Sequence, residues 1–205
     1  MKPTIGILAS GSRSTQGNLI ATFVQRLHEL GWIEGRSVAI EYRWAEGRSE
    51  RATELAAELV KLKAAVIVTS GTPTVLAVRQ VTSEIPIVFA SAGDPVGTGL
   101  VASLARPGGN ITGLAKMKEL VPGLRRLAIL ANRDLLTLTN RSRISSLALA
   151  ARLPTVHGNR DDDEGGGLLS YAATFPEQYR RTADFVYKIL RGTKPADIPV
   201  EQPTR

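Results

Sequence analysis

Three short polar segments of the sequence each follow an apolar run and carry groups that can hold a charged ligand. They are Ser10-Gly11-Ser12 after Ile5–Ala9, Gly71-Thr72-Pro73 after Ala64–Thr69, and Asp94-Pro95 after Ile85–Ala90. Hydroxyl groups and backbone amides at helix starts can bind a carboxylate, and the Asp94 carboxylate can bind an ammonium group. If the three segments meet at one edge of a sheet, they form a site for a small zwitterion.

The same residues also have structural roles, and the sequence leaves both kinds of role open. Ser, Thr and Asp are the residues that most often cap a helix, because their side chains accept hydrogen bonds from its first amide hydrogens. Pro95 suits the first turn of a helix, so Asp94 is also a candidate cap. Capping and ligand binding are compatible at these positions.

A G-x-G-x-x-A pattern begins at Gly97 and raises a nucleotide-binding enzyme of the Rossmann type as an alternative function. A dinucleotide fingerprint places its first glycine at the end of a strand, whereas Gly97 lies seven residues beyond Ala90. The charge of Asp94, in the intervening loop, would repel a phosphate. Close packing through Gly97 and Gly99 explains the pattern at least as well as nucleotide binding does.

Residues typical of catalytic and metal sites are scarce in this sequence. It contains no cysteine, and its two histidines, His28 and His157, form no H-x-x-x-H pair; there is also no G-x-S-x-G motif. The acidic run Asp161–Glu164 lacks the alternating spacing of a calcium loop and is expected to be a solvated loop. These residues therefore favour neither a metal site nor a catalytic site, and we expect no cofactor.

The formal net charge is +7, with 26 Lys and Arg against 19 Asp and Glu. These basic residues are spread along helical patterns and are not interleaved with aromatic residues in one block, so nucleic-acid binding is not favoured. No apolar run approaches the ~20 residues needed to cross a bilayer. Residues Met1–Gly6 lead directly into a strand-like segment without the apolar core of an export signal.

Strand-like and helix-like segments alternate along the first half of the chain, which predicts an α/β fold. Apolar residues recur at helical spacing from Leu19 to Leu30, and Ser49 is expected to cap a second helix. Continuous apolar strands such as Val66-Ile67-Val68 are typical of parallel sheets with helices on both faces. Right-handed crossovers place every loop that follows a strand at the same carboxyl edge.

The rest of the chain contains further predicted elements. The strands are Asn110–Ala115, Leu127–Leu130, Pro154–His157 and Leu168–Tyr171, and the helices are Leu138–Leu153 and Tyr179–Leu190.

Four stretches of the sequence resemble one known family. They are residues 27–36 (LHELGWIEGR), 40–47 (IEYRWAEG), 93–114 (GDPVGTGLVASLARPGGNITGL) and 187–197 (YKILRGTKPAD). These stretches are similar to ABC-transporter substrate-binding proteins of the tryptophan/tyrosine-uptake type, a branch with the type I periplasmic binding-protein fold. The resemblance covers nearly all of residues 3–115 and, less tightly, residues 122–205.

The resemblance implies a two-lobed, non-catalytic protein that closes on a small ligand in an interlobe cleft and delivers it to an ABC permease in the membrane. The implied ligand is an amino acid with an aromatic or branched side chain. The resemblance places ligand contacts in the three polar segments described above and at Tyr171, where the following Ala172 replaces the glycine usual in the family. It also implies a periplasmic or extracellular, membrane-associated location.

The sequence departs from the family pattern mainly in the second lobe. After Asn132 the family carries a further helix, strand and helix that are lacking here, and the family continues beyond Arg205. A reduced second lobe would leave faces for a second copy of the chain to cover, so a homo-oligomer is one expectation, and a sensor or interaction module is a third function class. The expected division is a nearly complete lobe one, residues 1–115 with 166–195, and a reduced lobe two, residues 116–165 with 196–205.

Overall fold

The computed structural model describes residues 2–115, 128–130, 143, 146–147, 150, 155–157, 169–170 and 175–202. The chain divides into two compact units. Unit 1 comprises Met1–Lys116 with Phe175–Pro203, and unit 2 comprises Met117–Thr174 with Thr204–Arg205.

Unit 1 contains, in its described residues, a five-stranded parallel sheet with strand order β2-β1-β3-β4-β5. Its strands are β1 (Thr4–Ala9), β2 (Ala39–Trp44), β3 (Val66–Thr69), β4 (Ile87–Ala92) and β5 (Ile111–Ala115). Its helices are α1 (Arg13–Glu29), α2 (Ser49–Lys61), α3 (Thr72–Val81) and α4 (Phe175–Leu190), followed by a 3-10 helix at Pro195–Asp197.

Helices cover both faces of this sheet. Every residue of β3, β4 and β5 is buried, so their apolar side chains must be covered on both sides. One core cluster joins the sheet to α2 and α3 through residues such as Leu59 and Val78. The other joins the opposite face to α1 and α4 through Phe23, Leu27 and Phe185. The predicted α/β class, with a parallel sheet between two layers of helices, is confirmed.

Two predicted local features differ from the structure. Strand β4 extends to Ala92, two residues beyond the predicted end, because small residues that follow the apolar run continue the pairing with β5 through a bulge. Ser49 is the first residue of α2 and not its cap: Arg48 occupies the cap position without a side-chain hydrogen bond. Among the described helices, none is long and apolar enough to cross a membrane.

The C-terminal segment packs onto unit 1, whereas the sequence analysis assigned residues 196–205 to the second lobe. Ile198 and Val200 are buried in the two cores of unit 1. The Thr112 hydroxyl donates a 2.8 Å hydrogen bond to the carbonyl of Ile198, and Glu201 forms a parallel bridge with Leu114 at the free edge of β5. Tertiary burial therefore places this segment beside β5.

Unit 2 contains, in its described part, a three-stranded parallel sheet of order β6-β7-β8. The strands are β6 (Ala128–Leu130), β7 (Thr155–His157) and β8 (Leu169–Ser170). All three agree with strands predicted from the sequence. β8 falls within residues 166–195, which the sequence analysis assigned to lobe one. Most of the helix expected at Leu138–Leu153, and the acidic run Asp161–Glu164, lie outside the described residues.

A chain of ion pairs links α1 to α4 across one flank of unit 1. Arg26 donates hydrogen bonds to Asp184, and Arg180 donates two to Glu29 at 3.1 and 2.8 Å. Hydrogen bonds from Arg180, and then from Arg26, lower the pKa of the Glu29 carboxyl. The ion pairs between α1 and α4 therefore stabilise the packing of the two helices, and this stabilisation depends on pH through the ionisation of Glu29.

We predict that Thr112→Val lowers the free energy of unfolding by ~1–3 kcal/mol, because it leaves the buried Ile198 carbonyl without its hydrogen-bond donor. Thr112→Ser is the matched control, since it keeps the hydroxyl group. Urea unfolding measures the stability, and hydrogen exchange at Val200 and Glu201 reports the docking of the C-terminal segment. Equal exchange rates in the Val and Ser variants would contradict the role given to this bond.

We also predict that Glu29→Gln lowers the urea midpoint at neutral pH but not at about pH 2.5. The folded-state pKa of Glu29 is lowered, so its stabilisation is present above its unfolded pKa of ~4.3 and is lost as pH falls through the folded value. Glu84→Gln is the matched control, because Glu84 is exposed and forms no ion pair in the described part of the chain. Equal effects of Glu29→Gln at both pH values would contradict this prediction.

Candidate functional site

The three predicted ligand segments lie at the carboxyl ends of neighbouring strands. Ser10–Ser12 follows β1, Gly71–Pro73 follows β3, and Gly93–Pro95 follows β4. β3 pairs with β1 on one side and with β4 on the other, and both pairings are parallel. The three segments therefore emerge from the same edge of the sheet, next to one another, as the sequence analysis expected.

The segments that follow β3 and β4 are tied together by hydrogen bonds. The Thr72 hydroxyl donates to the carbonyl of Gly93 and accepts from its amide, both at 3.2 Å. The Gly71 amide donates to the carbonyl of Ser91 at 2.7 Å. Gly71 has φ +87°, a left-handed conformation that glycine adopts without strain. Thr72 thus fixes the distance between the start of α3 and the loop that carries Asp94.

Asp94 begins a closed turn. It has φ +39°, a left-handed conformation that Asp tolerates better than most residues, and its Oδ1 accepts a 3.0 Å hydrogen bond from the Gly97 amide. Thr98 donates to the Asp94 carbonyl, and Leu100 donates to the carbonyl of the buried Pro95. The expected helix at Pro95 is therefore not formed; the segment is a turn, because the chain reverses again at Gly99, whose φ is +67°.

The contact between Asp94 and Gly97 explains the first glycine of the pattern, whereas Gly99 has open space around it and is favoured by its φ of +67°. A Cβ atom at Gly97 would lie 2.2 Å from Oδ2 of Asp94, so the carboxylate occupies the space that a side chain would need. A dinucleotide site would need a helix that starts after β4 and directs its amides at pyrophosphate. The described residues form only a turn there, and the Gly97 amide already donates to Asp94. This geometry counts against the nucleotide alternative.

Ser12 is the cap of α1. Its hydroxyl accepts from the Thr15 amide at 3.3 Å, while the Thr15 side chain accepts from the Ser12 amide at 3.0 Å, which completes a capping box. The Ser12 hydroxyl also lies 2.8 Å from that of Ser14. The structural role that the sequence left open at Ser12 is therefore the one observed.

The rest of the β1 loop is held from both sides. The Gln16 side chain accepts from the Gly11 amide at 2.8 Å and donates to the Ser10 hydroxyl at 3.3 Å. From the loop after β2, Gly47 donates to the Ser10 carbonyl and Glu46 donates to the Gly11 carbonyl. Sequence reasoning missed Gln16 and the β2 loop, since neither carries a recognisable motif. These bonds leave fewer groups of the β1 loop for a ligand.

The start of α3 differs from the start of α1. Its cap position is Gly71, which has no side chain, and no hydrogen bond from a described side chain caps its first amides. Pro73, in the first turn, is exposed and has no amide hydrogen to donate. The amino end of a helix carries a partial positive charge, so this end attracts an anionic group. An uncapped helix start and the Asp94 carboxylate thus stand on adjacent segments.

Tyr179 of α4 also reaches this edge. It is 4% exposed, and its side chain hydrogen-bonds with that of Ser70, the residue between β3 and Gly71. Burial raises the pKa of the Tyr179 hydroxyl, while the bond with Ser70 lowers it by less. The sequence pattern placed Tyr179 on the apolar face of a helix, and only the position of α4 on the sheet shows its polar contact.

Three buried polar atoms at this end of unit 1 have no hydrogen-bond partner within the described residues. They are Oγ1 of Thr69, Oγ of Ser91 and Oε1 of Gln178. Thr69 ends β3, Ser91 is the penultimate residue of β4, and Gln178 lies in the first turn of α4, next to Tyr179. Polar groups left unsatisfied cost ~1–3 kcal/mol each, and such costs concentrate at functional sites. Tyr171, the remaining predicted contact, lies outside the described residues.

We predict that Ser12→Ala lowers the free energy of unfolding by ~1 kcal/mol, because α1 loses its cap. Ser14→Ala is the matched control: it removes a hydroxyl that contacts Ser12 but accepts no bond from the helix amides among those described. Thermal unfolding of both variants measures the difference. Equal destabilisation by the two substitutions would contradict a capping role for Ser12.

Comparison with known proteins identifies a family for this chain. The family model described as ABC transporter substrate binding protein matches residues 12–125. A curated relative, the tyrosine-binding protein of Clostridioides difficile (strain R20291), is 29% identical over 120 residues. That alignment covers 54% of this chain and 35% of the relative, so the matched part spans about a third of the relative's length.

Two solved structures share the fold. One is the ABC domain in complex with L-Trp from Streptococcus pneumoniae, with a TM-score of 0.77 and 20% identity, over 99% of this chain and 90% of that one. The other is the ligand-free, open structure of a substrate-binding protein with adhesive properties from Clostridium difficile. It has a TM-score of 0.78 and 19% identity, over 98% of this chain and 89% of that one.

Proposed function

Because this chain belongs to the family of ABC transporter substrate-binding proteins, we propose that it binds a free amino acid at the carboxyl edge of the unit 1 sheet. One observation carries the proposal: the Asp94 carboxylate and the uncapped start of α3 are opposite in charge and stand on adjacent segments. A zwitterion carries the two complementary charges. The expectation of a non-catalytic protein agrees with the family, whose description names a binding protein.

In this proposal the ligand carboxylate lies at the start of α3. Among the described residues, no side-chain hydrogen bond caps the start of α3, whereas α1 is closed by its own capping box. Backbone amides and the helix dipole together favour an anion there. The proposed carboxylate position is therefore near Gly71 and Thr72, and Ser12 serves the fold.

The ligand ammonium lies against Asp94. One carboxylate oxygen accepts a bond from Gly97, and an ionised carboxylate offers about four acceptor positions, so it can accept a further bond from an ammonium group. Asp94 is half-buried, which strengthens a charge-assisted bond relative to one in open water. The bond between Thr72 and Gly93 holds the two charged positions at a fixed separation.

We propose an aromatic or branched side chain on the ligand. The support is the relative named as a tyrosine-binding protein and the solved complex with L-Trp. Delivery of the ligand to an ABC permease, and a location outside the cytoplasm, are proposed on the same basis of family membership.

The first experiment is calorimetric titration of the protein with L-tryptophan, L-tyrosine and L-isoleucine, and with NAD as a nucleotide probe. We expect binding of at least one amino acid and none of NAD. Tryptamine lacks the carboxylate and indole-3-propionate lacks the ammonium, so each is expected to bind more weakly than tryptophan. Binding of NAD alone would favour the nucleotide alternative, and binding of no compound would favour an interaction module without a ligand.

For Asp94→Asn, we predict a loss of tryptophan affinity of about 10- to 100-fold, as expected when one charge-assisted hydrogen bond is removed. Affinity for indole-3-propionate should stay unchanged, since that analogue has no ammonium group. Asn tolerates the left-handed conformation and can accept the Gly97 bond, so the fold should be retained. Asp197→Asn is the matched control at an exposed acid near the opposite edge. Equal losses for both ligands would refute the ammonium role.

A further inference from the structure

The amino edge of the unit 1 sheet carries a group of exposed basic residues. Parallel strands place all helix-to-strand connections there, at the end opposite the candidate ligand site. We call this group the basic edge, and its members are Lys2, Arg36, Lys61, Lys63, Arg191 and Lys194, all exposed. The exposed acids on the same connections are Glu34, Glu84 and Asp197. Glu29 ends α1 as Lys61 ends α2, but its charge is paired with Arg26 and Arg180. The basic edge therefore has an excess of positive charge.

Most of these cations form no ion pair with another described residue of the protein. In the described residues, Arg36, Lys61, Lys63 and Lys194 form no ion pair. Lys2 donates only to the carbonyl of Gly35, which also places it beside the turn that carries Arg36. By contrast, Arg26 of α1, Arg43 of β2 and Arg180 of α4 are all ion-paired. The charge of the basic edge is thus available to an external partner.

Ordinary helix capping does not account for the group. Lys61 and Arg191 stand at the ends of α2 and α4, where a cation interacts favourably with the helix dipole. Lys2 precedes a strand, Arg36 lies in a turn, and Lys194 precedes a 3-10 helix, so none of these stands at a helix carboxyl end. Their presence on one edge needs a different explanation.

An exposed apolar side chain stands within the basic edge. Leu62 is 47% exposed, and the chain places it between Lys61 and Lys63 at the end of α2. An apolar side chain flanked by lysines matches the boundary of a bilayer, where the lysines meet anionic headgroups and the leucine meets the acyl region. A nucleic acid partner would call for exposed aromatic residues among the cations. Trp32 and Tyr187, which lie near Arg36 and Arg191 in the chain, are only partly exposed, and the Tyr187 ring is covered by the Arg191 guanidinium at 6.0 Å.

We propose that the basic edge binds the surface of a bilayer that contains anionic lipids. Leu62 and its flanking lysines form the centre of the contact, and the other cations add long-range attraction. Each basic residue near an anionic surface contributes modestly, so binding depends on the group and weakens with salt. The contact uses the edge opposite Asp94 and the start of α3, so this proposal does not depend on which ligand binds at those residues.

The experiment is co-sedimentation of the protein with vesicles of phosphatidylcholine alone and of phosphatidylcholine mixed with phosphatidylglycerol. We expect partitioning at least about tenfold stronger on the anionic vesicles, and loss of that binding in ~0.5 M NaCl. The variant Lys61→Glu/Lys63→Glu should lower partitioning at least about tenfold. Leu62→Ser should lower it severalfold without a change of charge. Circular dichroism checks that each variant is folded.

The matched control is Arg13→Glu/Arg48→Glu, which makes the same change of charge with two exposed arginines at the carboxyl edge. It should bind anionic vesicles as the unmodified protein does. An equal loss in both double variants would show that total charge, and not the basic edge, governs binding. Equal partitioning on both vesicle types would overturn the proposal. Retention on immobilised polyglutamate without vesicle binding would assign the edge to an acidic protein instead.

Discussion

The burial of β3 and β4 on both faces is the constraint from which the rest of unit 1 follows. Their side chains are buried along the whole length of each strand, so helices must cover both sides of the sheet. Parallel strands with right-handed crossovers then fix where the loops emerge: all strand-to-helix loops share one edge, and all helix-to-strand loops share the other. Chemical groups far apart in the chain become neighbours for this reason alone.

At the carboxyl edge, most polar groups are used to build the loops. After β1, Gln16 accepts a hydrogen bond from the Gly11 amide and Ser12 caps α1. After β4, Asp94 accepts a hydrogen bond from the Gly97 amide and so closes its own turn. The groups proposed to contact a ligand are the uncapped helix start after β3 and, on the adjacent segment, the half-buried carboxylate after β4. The bond between Thr72 and Gly93 ties these two segments together, and such preorganisation would lower the entropy cost of binding the proposed ligand.

The two edges of the sheet have different electrostatic characters. Acidic and basic side chains are mixed at the carboxyl edge, whereas unpaired cations dominate the amino edge. The flanks between them are crossed by ion pairs that join α1 to α4. The net charge of +7 by itself indicates no particular partner. The fold distributes the charged side chains unevenly, so that the two edges of the sheet differ in charge.

The sequence alone determined the features that depend on local periodicity and on residue type. Buried runs such as Val66-Ile67-Val68 defined the parallel sheet, and the short segments after the strands identified the candidate edge, because these patterns need only neighbouring residues to be read.

The tertiary structure decided the pairing of distant groups. Thr112 bonds Ile198 across 86 positions, and Tyr179 meets Ser70, because the register of α4 and of the C-terminal segment on the sheet follows from packing over the whole unit. The turn at Asp94 also required the structure, since a capping residue followed by proline begins a helix and a turn equally well, and only the contact with Gly97 and the reversal at Gly99 distinguish the two.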